Sequence, residues 1–188
     1  VTDLPGRAFL VIRHGQTDAN RDKLIAGRTE AQLTDAGRAG ARALATWSWP
    51  LVALFSSPQQ RARETAALAF PDVPTTVIER LRERDWGIYE GRPVSQLPPR
   101  RSTPEAGEGW DVFRDRVQAA LIEGIAATPE GHLPVIVAHS GVVRATRAIT
   151  GGTPLGPSPP NTTPILYSPG PAGWTEIELT GETLPWIA

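Results

Sequence analysis

AFLVIRHGQTDAN, residues 8–20, passes without a break from a nearly continuous apolar run into a polar turn. Ala8–Arg13 is too short for a membrane span and shows no 3.6-residue period, so it reads as a strand buried on both faces. Two other segments repeat the pattern, Leu51–Phe55 (LVALF) and Leu133–Ala138 (LPVIVA). Each is followed by a segment of helical character. Thr34 is placed to cap a helix over Ala36–Trp47, and Ser57 to cap the next, with Pro58 at its first position leading into Gln59–Phe70. From Gly109 to about Ala127, Trp110, Phe113, Val117, Leu121 and Ile125 step by three or four and make one apolar stripe, a core-facing helix. A fourth helix is expected after Gly141.

Strand alternating with helix predicts an α/β protein, a three-layer α/β/α sandwich with a mostly parallel central sheet. Residues 153–171, TPLGPSPPNTTPILYSPGP, are rich in proline, which locks φ and removes a donor. They are expected as an extended loop with at most a short edge strand around Ile165–Tyr167. Trp174–Leu179 (WTEIEL) alternates and reads as a last strand near an edge. With 188 residues and no fixed-period repeat, a single domain over 1–188 is expected.

Composition removes several function classes. There is no cysteine, hence no disulfide framework, no Cys-ligated zinc and no thiolate nucleophile. Nineteen basic residues against twenty acidic give a net charge of -1, which lacks the basic footprint of a nucleic-acid binder. No segment is long and apolar enough for a membrane span or a signal-peptide core, so a soluble, cytoplasmic protein without membrane or nucleic-acid partners is expected. Lys23 is the one lysine; all other basic residues are arginines, a bias that suits planar, bidentate anion binding or reflects mere codon drift.

Chemistry is sought at the carboxyl ends of the strands, where helix N-termini point unsatisfied N–H groups at anions. Three exits carry polar residues there: Arg13-His14-Gly15, Ser56-Ser57-Pro58 with Arg61, and His139-Ser140-Gly141. His14 and His139 hold equivalent strand-end positions 125 residues apart, whereas His132 lies in a Pro-Glu-Gly-His loop. Two imidazoles, two guanidiniums and helix N-termini together form a cationic pocket suited to a phosphoryl group. Competing motifs are missing: no G-x-x-x-x-G-K-[ST], no G-x-G-x-x-G after a strand, no H-E-x-x-H and no G-x-S-x-G. Two histidines with scattered carboxylates offer no metal-ligand spacing.

These residues resemble the histidine phosphatase superfamily, also called phosphoglycerate-mutase-like. The resemblance runs through FLVIRHGQTDAN, the Gly27-Arg28 pair, LTDAG (33–37), SSPQQRARETA (56–66), LRERDWGIYEG (81–91), PEAGEGWDVFRDRV (104–117) and VIVAHSG (135–141). It implies that His14 is the nucleophile that accepts the phosphoryl group. It further implies that Arg13, Arg61 and His139 hold the phosphate oxygens, helped by Asn20, Thr17, Gly27, Ser140 and backbone N–H groups near Gly15. Glu83 would donate the proton to the leaving oxygen, with Asp85 and Glu90 as competitors for that role. The implied activity is a phosphomonoesterase on a small phosphate ester, with no metal and no cofactor; a mutase-type phosphoryl transferase and a non-catalytic phospho-ligand binder are the alternatives.

The residue types suit that chemistry. Neutral imidazole is a usable nucleophile near pH 7 if a backbone acceptor fixes its second nitrogen. Fixed cations must meet the ester's charge, each pair worth on the order of 4 kcal/mol at about 4 Å and an effective dielectric of about 20. Two arginines and a protonated second histidine would supply them, and a positioned acid would serve the poor alkoxide leaving group. Glycolytic mutases of this family carry extra chain between acid and second histidine, whereas Glu83 to His139 is 56 positions here, which favours transfer to water. Arg100, Arg101, Arg114 and Arg116 are candidates for a substrate's anionic tail. Arg114 and Arg116, two apart on a helix, cannot both face the site. Glu108 falls where the family usually shows Gly-Glu-Ser, and Gly109 replaces the serine.

Overall fold

The computed structural model describes residues 4–179; the outermost residues of the expected domain, 1–3 and 180–188, lie outside them. One sheet of six strands organises the described chain: β1 (Phe9–Arg13), β2 (Val52–Ser56), β3 (Thr75–Val77), β4 (Leu133–Ala138), β5 (Pro164–Gly170) and β6 (Gly173–Glu178), in the order β3-β2-β4-β1-β5-β6. The first four in that order are mutually parallel; β5 runs antiparallel to β1, and β6 antiparallel to β5. The helices are α1 (Asp18–Arg21), α2 (Asp35–Leu44), α3 (Gln60–Ala69), α4 (Trp110–Ala126) and α5 (Ser140–Ile149).

Alternation along the buried strands divides the core in two. Phe9, Val11, Ile136, Ala138 and Ile165 face α4 and α5, packing on Phe113, Val117, Leu121 and Val142. Leu10, Ile12, Leu54, Val135 and Val137 face the other way, toward Leu44 of α2 and Ala62 and Ala66 of α3. Burying each of the larger side chains stabilises the fold by roughly 1.5–3 kcal/mol, so both layers are driven by the same strands. The expected three-layer sandwich is found.

Thr34 caps α2, its hydroxyl accepting from Gly37 N, and the stripe from Trp110 to Ile125 is buried. The next helix differs from expectation. It starts at Gln60, with Gln59 rather than Ser57 at the cap and Pro58 outside it, although Ser57 Oγ still accepts from Gln59 N at 3.3 Å beside its contact with His139. Helix α5 begins at Ser140, a residue before Gly141. The expected edge strand around Ile165–Tyr167 is instead a seven-residue internal strand, β5, paired with β1 on one side and β6 on the other. Its prolines do no harm: Pro164 opens the strand and Pro169 lies near the hairpin end, where few ladder bonds are needed. Strand β3 and the one-turn α1 have no counterpart in the sequence reading.

Two glycines bring α2 against the exit of β1. A Cβ on Gly15 would overlap the Gly37 backbone, and one on Gly37 would overlap the carbonyl of Gln16.

Candidate active site

Because β4 lies between β1 and β2 and all three are parallel, their carboxyl ends stand side by side. The chain leaves them in step, with His14 N donating to Ala138 O at 2.9 Å and Ser57 N to Val137 O at 3.0 Å. His139 exits the middle strand and sits between His14 and Ser57. Its ring centroid is 5.2 Å from that of His14 at an inclination of 63°, and its Nε2 is 2.7 Å from Ser57 Oγ. Both imidazoles are buried.

His14 Nδ1 lies 2.7 Å from Gly15 O. A carbonyl only accepts, so Nδ1 carries the proton and Nε2 presents its lone pair. Burial, reinforced by Arg61 and Arg13, drives the His14 pKa well below its ordinary value, against the Gly15 hydrogen bond. Burial, Arg61, His14, Arg13 and Arg116 do the same to His139. Both rings are therefore neutral near pH 7, and the protonated second histidine expected from sequence is disfavoured in the free protein. Burial is the chief reason, and the neighbouring guanidiniums reinforce it.

Arg13 donates to Ser158 Oγ at 3.1 Å and Pro159 O at 2.7 Å. Arg61, 1% exposed, donates to Thr29 O, Ala26 O and Gly27 O. In each case Nε is buried without a hydrogen-bond partner, and the same holds for His139 Nδ1. Burial lowers the pKa of both arginines, with Glu83 pulling the other way.

Glu83 closes the opposite side. Its carboxylate accepts from Arg84 N and Gly141 N, each at 2.8 Å, and its backbone N–H donates to Gln59 Oε1. Gly141 has no alternative there, since a Cβ would overlap Glu83 Oε1. Between these walls lies a cleft of about 210 Å³ lined by Arg13, His14, Asn20, Glu83, Arg100, Ser140, Gly141, Arg144 and Ser158, with Leu24, Ile25, Trp86, Val94 and Leu97 on its outer flank.

The other two candidates for the acid do not line this cleft. Glu90 accepts from the backbone N–H of Gly27, Arg28, Thr29 and Trp86 and from Thr29 Oγ1, and so ties the 27–29 loop to the 86–90 turn. Asp85 accepts from Gly87 N and pairs with Arg28. Gly27 gives its carbonyl to Arg61 and Gln59, and Thr17 caps α1 with Asn20 in a reciprocal box, so these two brace the pocket's frame. Gly15 N, expected near the phosphate, donates to Thr65 Oγ1 instead. Of the four candidate tail-binding arginines, only Arg100 lines the cleft. Arg114 pairs with Asp111 and Asp115 at the surface. Arg116 holds Glu108 and the carbonyls of Arg80, Arg82 and Glu83, while Arg101 lies by Trp110 and Asp111.

Four contributors escaped the sequence reading. Asn161 Nδ2 donates to His14 O and Asn20 Oδ1. Gln59 links Gly27 O to Glu83 N. Arg84 donates to the carbonyls of Arg100, Ser102 and Glu108, and Arg144 to those of Pro154, Gly156 and Pro157. Burial is the main cause that pulls the pKa of each of these two arginines down to about 10. An arginine inside the apolar face of α5 was the available signal for Arg144.

Among the described residues no group of three His, Cys, Asp or Glu side chains is placed to hold a metal ion, and no helix is long and apolar enough to cross a membrane. Residues 9–183 match the sequence model of the Histidine phosphatase superfamily (branch 1). The chain is similar to "Uncharacterized phosphatase PhoE" of Bacillus subtilis (strain 168), 29% identical over 157 residues that cover 78% of this chain and 79% of the relative. It is similar to "Probable phosphatase C1687.21" of Schizosaccharomyces pombe, 33% identical over 150 residues, 75% and 71% of the two chains. Among solved structures, the mycobacterial glucosyl-3-phosphoglycerate phosphatase in complex with VO3 superposes with a TM-score of 0.78 at 25% identity, over 92% of this chain and 98% of that one.

Proposed function

The chain belongs to the histidine phosphatase superfamily, and on that premise we propose that it is a phosphomonoesterase that hydrolyses a small phosphorylated metabolite through a phosphohistidine on His14, without metal or organic cofactor. One observation carries the reading: Arg13 Nε and Arg61 Nε are buried donors without a protein acceptor and His139 Nδ1 is buried without a partner, beside a histidine whose Nε2 lone pair is free. Buried donors are costly unless something accepts from them, and phosphoryl oxygens are suited to it.

The chemistry balances with these groups alone. His14 Nε2 bonds to phosphorus as the ester P–O bond breaks, and Glu83 gives its proton to the leaving oxygen. Water then attacks phosphorus, Glu83 takes the water's proton, the P–N bond breaks and its electron pair returns to His14. Orthophosphate leaves. Water is the proposed acceptor because the 56 positions from Glu83 to His139 leave little chain to close over the phosphoenzyme; some relatives carry phosphatase names and others phosphoglycerate-mutase names, so the chain length carries this choice.

The test is turnover of 4-nitrophenyl phosphate and a set of alkyl phosphates with and without EDTA. Hydrolysis that survives chelation is expected. Loss in EDTA with recovery on adding a divalent ion would overturn the metal-free mechanism, and absence of any turnover would overturn the enzyme reading. More 2-phosphoglycerate than free phosphate from 3-phosphoglycerate primed with bisphosphoglycerate would move the assignment to a mutase.

A further inference from the structure

Ser57 stands behind His139, on the side away from His14. Its Oγ accepts the Gln59 N–H at 3.3 Å and lies 2.7 Å from His139 Nε2. The hydroxyl hydrogen therefore needs an acceptor, and the Nε2 lone pair is the one within reach. At the other edge of the ring, Nδ1 is buried without a partner. From this geometry we infer that Ser57 is a positioning residue: it donates to Nε2, holds neutral His139 in the Nδ1–H tautomer, and so makes His139 a hydrogen-bond donor to the phosphoryl group without a positive charge. The recipient of that bond rests on the phosphatase reading given above.

The opposite tautomer fails at both ends of the ring. With the proton on Nε2, the imidazole would donate to Ser57 Oγ and leave the hydroxyl hydrogen buried with no acceptor. It would also turn the Nδ1 lone pair toward an anion. Burial and the neighbouring guanidiniums disfavour imidazolium in the free protein, so the choice lies between the two neutral forms. Ser57 is held in place, its N–H on Val137 O and its carbonyl accepting from Ser56 Oγ. Two residues on, the Gln59 side chain spans from Gly27 O to Glu83 N, so one short segment serves the second histidine, the acid's backbone and, through Arg61, the phosphate.

The experiment is a long-range 1H–15N correlation of the imidazoles at pH 7 in the 15N-labelled parent, Ser57→Ala and Ser57→Thr, paired with inhibition by orthophosphate. The parent is expected to show a protonated Nδ1 and an unprotonated Nε2 at His139. Ser57→Ala should lose that preference and raise the orthophosphate inhibition constant on the order of tenfold, while Ser57→Thr, which keeps the hydroxyl, restores both. A parent that turns over esters with the His139 proton on Nε2, or on both nitrogens, overturns the role of Ser57. So does a Ser57→Ala variant with unchanged tautomer and unchanged inhibition. The parent spectrum decides even if a variant fails to fold. A parent that neither hydrolyses esters nor is inhibited by orthophosphate overturns the phosphatase reading instead.

Discussion

The two sides of the cleft are built by different means. His14, His139, Arg13 and Ser57 occupy the ends of adjacent parallel strands, so sheet hydrogen bonding that would exist in any case sets their spacing. Glu83 stands on an irregular wall, among the 3-10 turns Glu79–Leu81, Gly87–Tyr89 and Val94–Gln96 and the loop that leads to α4. Carbonyls there have no ladder to join. Arg84 and Arg116 supply the donors instead, each to three backbone carbonyls, and Arg144 does the same for the loop after α5. A guanidinium has five N–H groups in a rigid fork, which is why one arginine can pin a loop that would otherwise bury unsatisfied oxygens. Part of the arginine bias thus serves the protein's own backbone, not anions.

If the two sides are separable, damage to the wall should impair leaving-group departure and spare phosphate binding. The largest such effect is expected for Glu83→Gln. An alkyl phosphate should lose about 10²–10⁴ in kcat/KM, a nitrophenyl phosphate much less, and inhibition by orthophosphate should change little. Equal losses for both esters would assign Glu83 a bracing role. Arg84→Ala comes next, leaving the carbonyls of Arg100, Ser102 and Glu108 unpaired around an arginine that is 1% exposed. A loss of about 2–4 kcal/mol in urea unfolding is expected, with kcat for alkyl esters falling more than orthophosphate affinity. A variant as stable as the parent would show that the wall does not depend on this guanidinium.

The difference between the sides also governs what could be read in advance. Ala8–Arg13, Leu51–Phe55 and Leu133–Ala138 are short runs apolar on both faces, a pattern that specifies buried parallel strands almost without context, and the polar residues at their ends follow. The sheet, the helices packed on it and the Arg13, His14 and His139 cluster were legible for that reason. The full extent of strand β5 was not, because prolines at 164 and 169 mask its ends and one partner, β1, is distant in sequence. Nor was the fate of Glu90 against Glu83: both are carboxylates in one turn-rich segment, and only the fold shows Glu90 bound by four backbone N–H groups while Glu83 reaches the cleft.

The smallest effect is on the strand side and concerns pH. His14 and His139 have folded-state pKa values pushed below the unfolded value of about 6.5, chiefly by burial. Below that pH the unfolded chain takes up protons that the native state resists, so stability falls on acidification, with a limiting slope of about 1.4 kcal/mol per pH unit per histidine. Urea midpoints should decline from pH 7 toward pH 5, and His139→Phe should flatten that decline. An unchanged slope in the variant would mean that His139 is not held neutral by the fold.

The proposed phosphohistidine on His14 is tested most directly by trapping it. The parent, mixed with a 32P-labelled ester and quenched within one turnover, should carry an acid-labile, base-stable label that maps to the peptide containing His14. His14→Ala should carry none and retain only background activity. Label on Ser140, or full turnover with no label on either residue, would contradict a covalent role for His14.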